Sequence, residues 1–134
     1  MTQINFELVS PEAKRVSEPL YMAVIPGEEG VVGVLPGHAS LVASLKAGVV
    51  ELYETEGAEP RRIFIAGGFA DVTPDNCSVL AEEAVNLADL SRDDVEQAVK
   101  RLNNDLELAS EDADKARIGR RLVLAEAKLQ AVAA

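Results

Sequence analysis

The stretch Arg61–Val85, RRIFIAGGFADVTPDNCSVLAEEAV, consists of short apolar runs separated by turn residues. Glycine tolerates backbone angles that other residues avoid, and the segment Thr73–Asn76 contains the proline, aspartate and asparagine that favour turns. Short runs between such turns are typical of β-strands. Because a strand and a turn, not a helix, follow Gly67–Phe69, we predict a tight bend or close backbone packing there rather than a phosphate-binding loop.

The same pattern extends from this stretch back to the N-terminus. Ile4, Phe6 and Leu8 alternate with polar residues, as expected for a strand with one buried face. Further apolar runs flanked by turn residues are YMAVI at Tyr21–Ile25 and GVVELYE at Gly48–Glu54. We therefore predict a β-sandwich domain of about eight to ten short antiparallel strands over residues 1–88.

The period of the apolar pattern changes after Asn86, where apolar residues begin to recur at helical spacing. One stripe consists of Val95, Ala98/Val99, Leu102, Leu106 and Ala109, and the second of Ile118, Leu122, Ala125, Leu129 and Val132. The polar segment SEDAD lies between the stripes, which predicts an antiparallel αα-hairpin over residues 89–134. Ser91 and Asp94 have the spacing of a capping box, so the first helix is expected to begin near Arg92.

Charge divides the chain at the same place. Residues 1–88 carry 13 acids and 5 bases, a net charge of −8, whereas residues 89–134 carry 10 acids and 8 bases, a net charge of −2. A two-helix hairpin has narrow apolar seams and depends on packing against something else. The hairpin is therefore expected to be able to leave one surface for another.

Composition excludes several classes of function. The formal net charge of −10 disfavours nucleic acid and anionic lipid as partners. No apolar run approaches the roughly 20 residues that span a bilayer, so no direct membrane insertion is expected. Cys77 is the only cysteine, and the sequence contains no metal-binding, nucleophile-elbow or phosphate-loop motif. We expect no catalytic residues, no metal and an inert Cys77.

The segment GVLPGHASL, Gly33–Leu41, contains the only histidine of the chain, His38. Pro36 and Gly37 fix the local shape, and side chains presented by such turns serve well in recognition. Three roles stay open for His38 on this pattern, namely a structural hydrogen bond within the loop, contact with a partner, and chemistry. The adjacent acids Glu28 and Glu29 are expected to be solvated turn residues.

A basic set, Arg117, Arg120 and Arg121, stands out on the second predicted helix of this acidic chain. Its members either pair within the helix, for example with Asp114, or meet a carboxylate surface or a nucleotide phosphate. The residues alone leave both readings open. They also leave open an independent β-sandwich binding module with a helical dimerisation hairpin, although the absence of tryptophan leaves few aromatic platforms for a sugar. A small hydrolase using Glu and His38 would need a convergent pocket that the sequence does not supply.

Five ordered motifs together resemble the epsilon subunit of the bacterial F-type ATP synthase over essentially the whole chain. They are FELVSPE at Phe6–Glu12, IPGEEG with GVLPGHASL at Ile25–Leu41, LKAGVV at Leu45–Val50, AGGFADV at Ala66–Val72 and VLAEEA at Val79–Ala84. The resemblance implies a non-catalytic rotor subunit of a proton-translocating synthase. Its sandwich would join the central-stalk gamma subunit to the c ring, and its hairpin would extend to the alpha and beta subunits and inhibit ATP hydrolysis.

The resemblance also implies where partners bind. Glu29, Val31, Val32 and His38 correspond to the part of the family that meets gamma and the c ring. Family members often hold an acid between the glycines that match Gly30 and Gly33, and the pair Val31-Val32 here predicts an apolar contact instead. The implied location is the cytoplasmic face of the bacterial inner membrane, peripheral, as part of F1.

Some family members bind ATP through a motif that opens the first helix. Here that motif retains Asp94 and Ala98, but Gln97 stands where the family has arginine, while Arg117 and Arg121 match basic positions of the second helix. Loss of a guanidinium removes a charge-assisted contact to phosphate, typically worth about 1.5–3 kcal/mol. We therefore expect no cofactor and weak or absent ATP binding.

Overall fold

The computed structural model describes residues 3–11 and 14–133. The chain divides into two compact units, Met1–Asn86 and Leu87–Ala134, each of which is described by itself. The first unit contains the strands and the second the helices. The boundary between the units follows Asn86, two residues before the predicted boundary after Ala88, because a short 3-10 turn, Leu87–Asp89, belongs with the helices.

The described residues of the first unit contain ten strands, in agreement with the eight to ten predicted from the short apolar runs and the turn residues between them. They are β1 (Ile4–Val9), β2 (Lys14–Leu20), β3 (Met22–Gly27), β4 (Gly30–Val34), β5 (Leu41–Leu45), β6 (Gly48–Tyr53), β7 (Arg61–Ile65), β8 (Gly68–Val72), β9 (Asn76–Ala81) and β10 (Ala84–Asn86).

The strands form two five-stranded layers that are connected through β3. One layer has the order β10-β7-β6-β3-β4, and the other has the order β5-β8-β9-β1-β2. Strand β3 joins them, since Met22–Val24 pair with β6 while Gly27 pairs with Leu45 of β5. The expected sandwich is confirmed, and its edges are β10 and β4 in one layer and β5 and β2 in the other.

The core fills the space between the layers because inward and outward residues alternate along the strands. Ile4, Phe6 and Leu8 are fully buried, in agreement with the alternation of the first strand. Ile63 and Ile65 of β7 belong to the same core cluster, whereas Phe64 between them is fully buried on the opposite face of the strand and lies outside that cluster. At the start of β7, the Arg61 guanidinium forms an ion pair with the Glu18 carboxylate of β2, which links one layer to the other.

One strand pair differs from the antiparallel expectation. β1 and β9 run parallel, with Phe6 opposite Cys77 and Leu8 opposite Val79. These strands are separated by most of the unit, and parallel neighbours require such a long connection. Local alternation predicts a strand and its buried face but carries no information on the direction of a distant neighbour.

The bend predicted at Gly67–Phe69 is present. Gly67 and Gly68 have φ angles of +117° and +147°, which favour glycine. A Cβ atom added to Gly68 would overlap the carbonyl oxygen of Leu80 on the neighbouring strand. The two glycines therefore allow close approach of the β8 and β9 backbones, and the predicted tight bend with close backbone packing is confirmed.

The second unit is the predicted helical hairpin, with α1 (Arg92–Leu108) and α2 (Asp112–Ala133). The Ser91 side chain accepts a hydrogen bond from the backbone N–H of Asp94 at 3.4 Å, which caps α1 at the predicted residue. The buried side chains belong to the two apolar stripes: Val95, the first residue of the stripe on α1, and Ile118, Leu122 and Ala125, the first three residues of the stripe on α2. The hairpin thus closes along the expected seam.

Candidate functional site

The β3–β4 hairpin presents an acidic tip. Glu28 and Glu29 occupy its two-residue turn and are both exposed. Gly27 is required before the turn, because a Cβ atom there would lie 2.5 Å from the carbonyl oxygen of Gly30. The two valines predicted to form an apolar partner contact lie in different environments. Val31 is 70% exposed, whereas Val32 is partly buried and packs against the core.

A cavity of about 320 Å³ lies between this hairpin and β5. Glu28, Glu29 and Val32 line it from one side, and Leu41–Ser44 line it from the other. Neither lysine nor arginine is among its lining residues. The structure therefore brings Glu29 and Val32 together in one acidic groove, with Val31 on the outer side of the same strand.

His38 lies in the loop between β4 and β5 and does not line that groove. Its ring Nδ1 donates a hydrogen bond to the carbonyl oxygen of Ala39 at 2.6 Å, and its backbone N–H donates to Leu35 at 3.1 Å. The backbone N–H of Gly37 donates to the Pro74 carbonyl at 2.8 Å, which ties the loop to the β8–β9 turn. The structural hydrogen bond considered for His38 is present, and the partly exposed ring remains accessible to a partner.

An apolar patch on the outer face of the second layer was not predicted from the sequence. Val42, Phe69 and Leu80 are 74%, 61% and 63% exposed. Phe69 and Leu80 are directly opposite each other on β8 and β9, and Val9 of β1 follows Leu80 in the same row. Exposed apolar clusters of this kind mark interaction sites. Strand alternation could have revealed this patch in the sequence, because Ala70, Val72 and Val79 face inward and their neighbours Phe69 and Leu80 must then face outward.

Cys77 lies in the core between the layers and is fully buried. Burial, reinforced by the nearby Asp71 carboxylate, raises the pKa of the Cys77 thiol to about 11. The thiolate, which is the reactive form, is therefore scarce at neutral pH. The expected burial of Cys77 is confirmed, and its raised pKa favours an inert role.

The helical hairpin contains a second groove, with a volume of about 540 Å³. Of the residues singled out as possible nucleotide contacts, Asp94, Ala98 and Arg121 line it together. Arg117 does not line it, since its guanidinium pairs with the Asp114 carboxylate at 3.3 Å, which was the intrahelical alternative. Gln97 is exposed and is absent from the lining.

The charges in this groove balance. Its acidic residues are Asp89, Asp94 and Asp105, and its basic residues are Arg101, Arg121 and Lys128. A triphosphate binds best where guanidinium groups outnumber carboxylates. Each guanidinium strengthens the contact with phosphate through a charge-assisted hydrogen bond, whereas each carboxylate weakens it by repulsion. A balanced groove offers no such excess.

The described ranges hold no group of three His, Cys, Asp or Glu side chains placed to bind a metal ion. Within the same ranges, no helix has both the length and the apolar character needed to cross a membrane.

Comparison with known proteins identifies the β unit. Residues 3–87 match the family described as ATP synthase, Delta/Epsilon chain, beta-sandwich domain. The chain belongs to this family. The matched residues coincide with the strand-bearing unit, so the hairpin tip, the His38 loop and the apolar patch all lie within the delta/epsilon-chain domain.

Relatives of the delta/epsilon-chain family also cover the helices. An ATP synthase epsilon chain of Rhodospirillum centenum is 43% identical over 135 residues, which cover 98% of this chain and 92% of the relative. The epsilon chain of Rhodospirillum rubrum is 45% identical over 95% of this chain and 94% of the relative. That of Paramagnetospirillum magneticum is 40% identical, with 98% of both chains covered.

Two solved structures contain chains that are similar to this one. A chain in the cryo-EM structure of Euglena gracilis mitochondrial ATP synthase, OSCP/F1/c-ring in rotational state 1, matches with a TM-score of 0.84 and 26% identity, covering 100% of this chain and 83% of that one. A chain of the Tetrahymena thermophila mitochondrial ATP synthase central stalk/c-ring structure matches with a TM-score of 0.68 at 12% identity, covering 96% of each chain. The second likeness is one of fold alone.

Proposed function

We propose that this chain is the epsilon subunit of a bacterial F-type ATP synthase, a rotor subunit of the central stalk that couples gamma to the c ring. The observation that carries the proposal is the relationship to bacterial epsilon chains over nearly the full length of both partners. A match of both units in one order argues against an independent sandwich module that has acquired an unrelated hairpin.

Two surfaces of the β unit suit two partners. The hairpin tip with Glu29 and Val31, together with Val32 behind it, is the proposed c-ring contact. The proposed gamma contact is the face that carries Val42, Phe69 and Leu80, and His38 extends the contacts from the neighbouring loop. Apolar area at the centre of an interface with polar groups at its rim is the usual arrangement of protein partners, and the exposed apolar row supports this assignment.

The chain acts without catalysis in this proposal. Its one histidine is hydrogen-bonded within its own loop, and its one cysteine is buried with a raised pKa. A nucleophile needs a neighbouring base and a site for substrate, which neither residue has in the described part of the chain. The subunit would therefore influence turnover only at the alpha and beta subunits.

The helical hairpin is the proposed regulatory part, which extends toward alpha and beta and lowers ATP hydrolysis. ATP binding to this hairpin is proposed to be weak or absent, since Gln97 replaces the arginine of the motif and the groove charges balance. The proposed location is the cytoplasmic face of the bacterial inner membrane, peripheral, within F1.

The proposal is tested by titrating the purified chain into F1 from which its own epsilon chain has been removed, with heat of binding and ATP hydrolysis followed on the same samples. Saturation near one chain per complex is expected, together with a fall in hydrolysis. The chain alone is expected to hydrolyse no ATP. Absence of binding would refute the stalk assignment and favour the independent sandwich module, whereas binding without a fall in hydrolysis would remove only the inhibitory role.

A further inference from the structure

Strand β4 has one edge without a strand partner among the described residues. It pairs only with β3, through Ala23–Gly27 opposite Gly30–Val34. Gly27 and Gly30 close the two-residue turn, so they exchange backbone hydrogen bonds, and every second pair after them does the same. The backbone N–H and C=O groups of Val31 and Gly33 therefore point away from β3, toward the free edge.

This edge lacks the features that normally prevent strand addition. The sequence of β4, GVVGV, contains no charge and no proline. By contrast β2, an edge strand of the other layer, contains Glu18 and Pro19. Uncharged edges rich in β-branched residues are ready templates for another strand. Val31 is exposed, as is Gly33, so nothing in the described β unit covers the outward groups.

The groove beside this edge has the chemistry to receive side chains of an added strand. Val32 and Leu41 are partly buried and pack against the core at its floor. The exposed carboxylates of Glu28 and Glu29 stand at one end, and the lining supplies no basic residue to pair with them. An occupant that covers the floor would add apolar burial, and a cation at its end would meet the two acids.

We infer that β4 accepts an extended segment of a neighbouring subunit as an additional strand, through the backbone groups of Val31 and Gly33. The segment carries a Lys or Arg opposite Glu28 and Glu29 and small apolar residues over Val32 and Leu41. Strand addition to an exposed edge is an established mode of recognition in which main-chain bonds supply affinity. Charge decides against a second copy of this chain, because two copies each with a net charge of −10 repel.

This inference rests on the proposed function, since the neighbouring subunit belongs to the synthase. Gly33→Pro and Val31→Pro remove one outward N–H each without removing a bond to β3, and proline is tolerated at such edge positions. Gly33→Ser and Val31→Thr are the matched controls, because they change the same positions and retain the N–H. Circular dichroism and thermal unfolding of each full-length variant report whether it folds.

The probe is the complete synthase, with gamma and c ring, from which its own epsilon chain has been removed. Wild type and controls are expected to bind alike, and each proline variant about tenfold more weakly, as expected for the loss of a main-chain hydrogen bond and its alignment. Glu28→Gln with Glu29→Gln is expected to weaken binding and to reduce its dependence on salt.

Hydrogen exchange of the wild-type chain supplies a readout that needs no variant. The amides of Val31 and Gly33 are expected to exchange rapidly in the free chain and to become protected in the complex. If the wild-type chain binds but these two amides stay unprotected, or if the folded proline variants bind as tightly as wild type, the inference of an added strand is wrong. The proposed function would stand in either case. Failure of wild type to bind would refute the proposed function, and the inference with it.

Discussion

At the scale of single residues, Gly68 and Gly119 respond differently to the same substitution. Gly68→Ala is expected to destabilise the fold by about 2–4 kcal/mol, because φ is +147° and the new Cβ would overlap the Leu80 carbonyl. Gly119 lies within α2, with nothing within 4 Å of an added Cβ, so Gly119→Ala is expected to stabilise by about 0.5–1 kcal/mol. Urea unfolding of both variants checks the opposite signs, and a neutral Gly68→Ala would show that β8 and β9 are not held so closely.

Cys77 is expected to make stability fall at alkaline pH. Its folded pKa of about 11 lies above the ordinary value of 9.0, so the unfolded chain loses its thiol proton first as pH rises. The folded state then loses stability between about pH 9 and 11, by up to about 2–3 kcal/mol. Urea unfolding of wild type and Cys77→Ala at pH 8 and pH 11 measures this, because every other pH-dependent contribution is common to the two proteins. An equal loss in the two proteins would contradict the prediction.

At the scale of elements, the sequence predicted what local periodicity encodes and missed what depends on distant neighbours. The strands predicted within Arg61–Val85 and the helical seam through Val95 and Leu122 are both present, since alternation and capping act within a few residues. The parallel pairing of β1 with β9 and the exposed row through Phe69 and Leu80 were missed. Both require knowledge of which strands become neighbours, and that is decided by packing of the whole β unit.

The exposed apolar row that contains Phe69 and Leu80 gives a prediction about partner binding. Leu80→Lys is expected to change unfolding free energy by no more than about 0.5 kcal/mol, because the side chain is already 63% exposed. The same change is expected to weaken binding to epsilon-depleted F1 by about tenfold or more, since it places a charge in an apolar contact. Val123→Lys, at a 68% exposed position of α2, is the control and should bind as wild type. Equal binding of both variants would exclude this row from the interface.

The groove of the hairpin gives a prediction about nucleotide. Wild type is expected to show no saturable ATP binding below roughly millimolar concentration. Gln97 lies outside the groove lining, next to Ala98, which belongs to it, and Gln97→Arg places the guanidinium of the motif at this rim. A charge-assisted contact from there to phosphate would be worth about 1.5–3 kcal/mol, so the variant should bind ATP at least about tenfold more tightly. Gln130→Arg adds the same charge at another exposed position of the hairpin and should not. Calorimetric titration of ATP into the three chains measures this. Tight binding by wild type would show that Arg121 and its groove suffice without the missing arginine.

At the scale of the whole molecule, stability and regulation are expected to belong to different units. The continuous core runs from Ile4 to Ala84 and includes no residue of the helices. The hairpin is held by a narrow seam of Val95, Ile118, Leu122 and Ala125. Helices of this kind gain most of their stability from packing, so the hairpin can change its contacts at a small cost while the β unit remains folded.

Deletion of every residue after Ala88 tests this division of roles. The shortened chain retains the whole core cluster, the acidic tip and the exposed row, so it is expected to unfold cooperatively and to bind epsilon-depleted F1 as the full-length chain does. Hydrolysis by the reconstituted complex should then stay higher than with the full-length chain, because the part that reaches alpha and beta is gone. Calorimetry and hydrolysis on the same samples separate the outcomes. A folded but non-binding β unit would place essential contacts in the hairpin, and equal inhibition by both chains would place the inhibitory contact in the β unit.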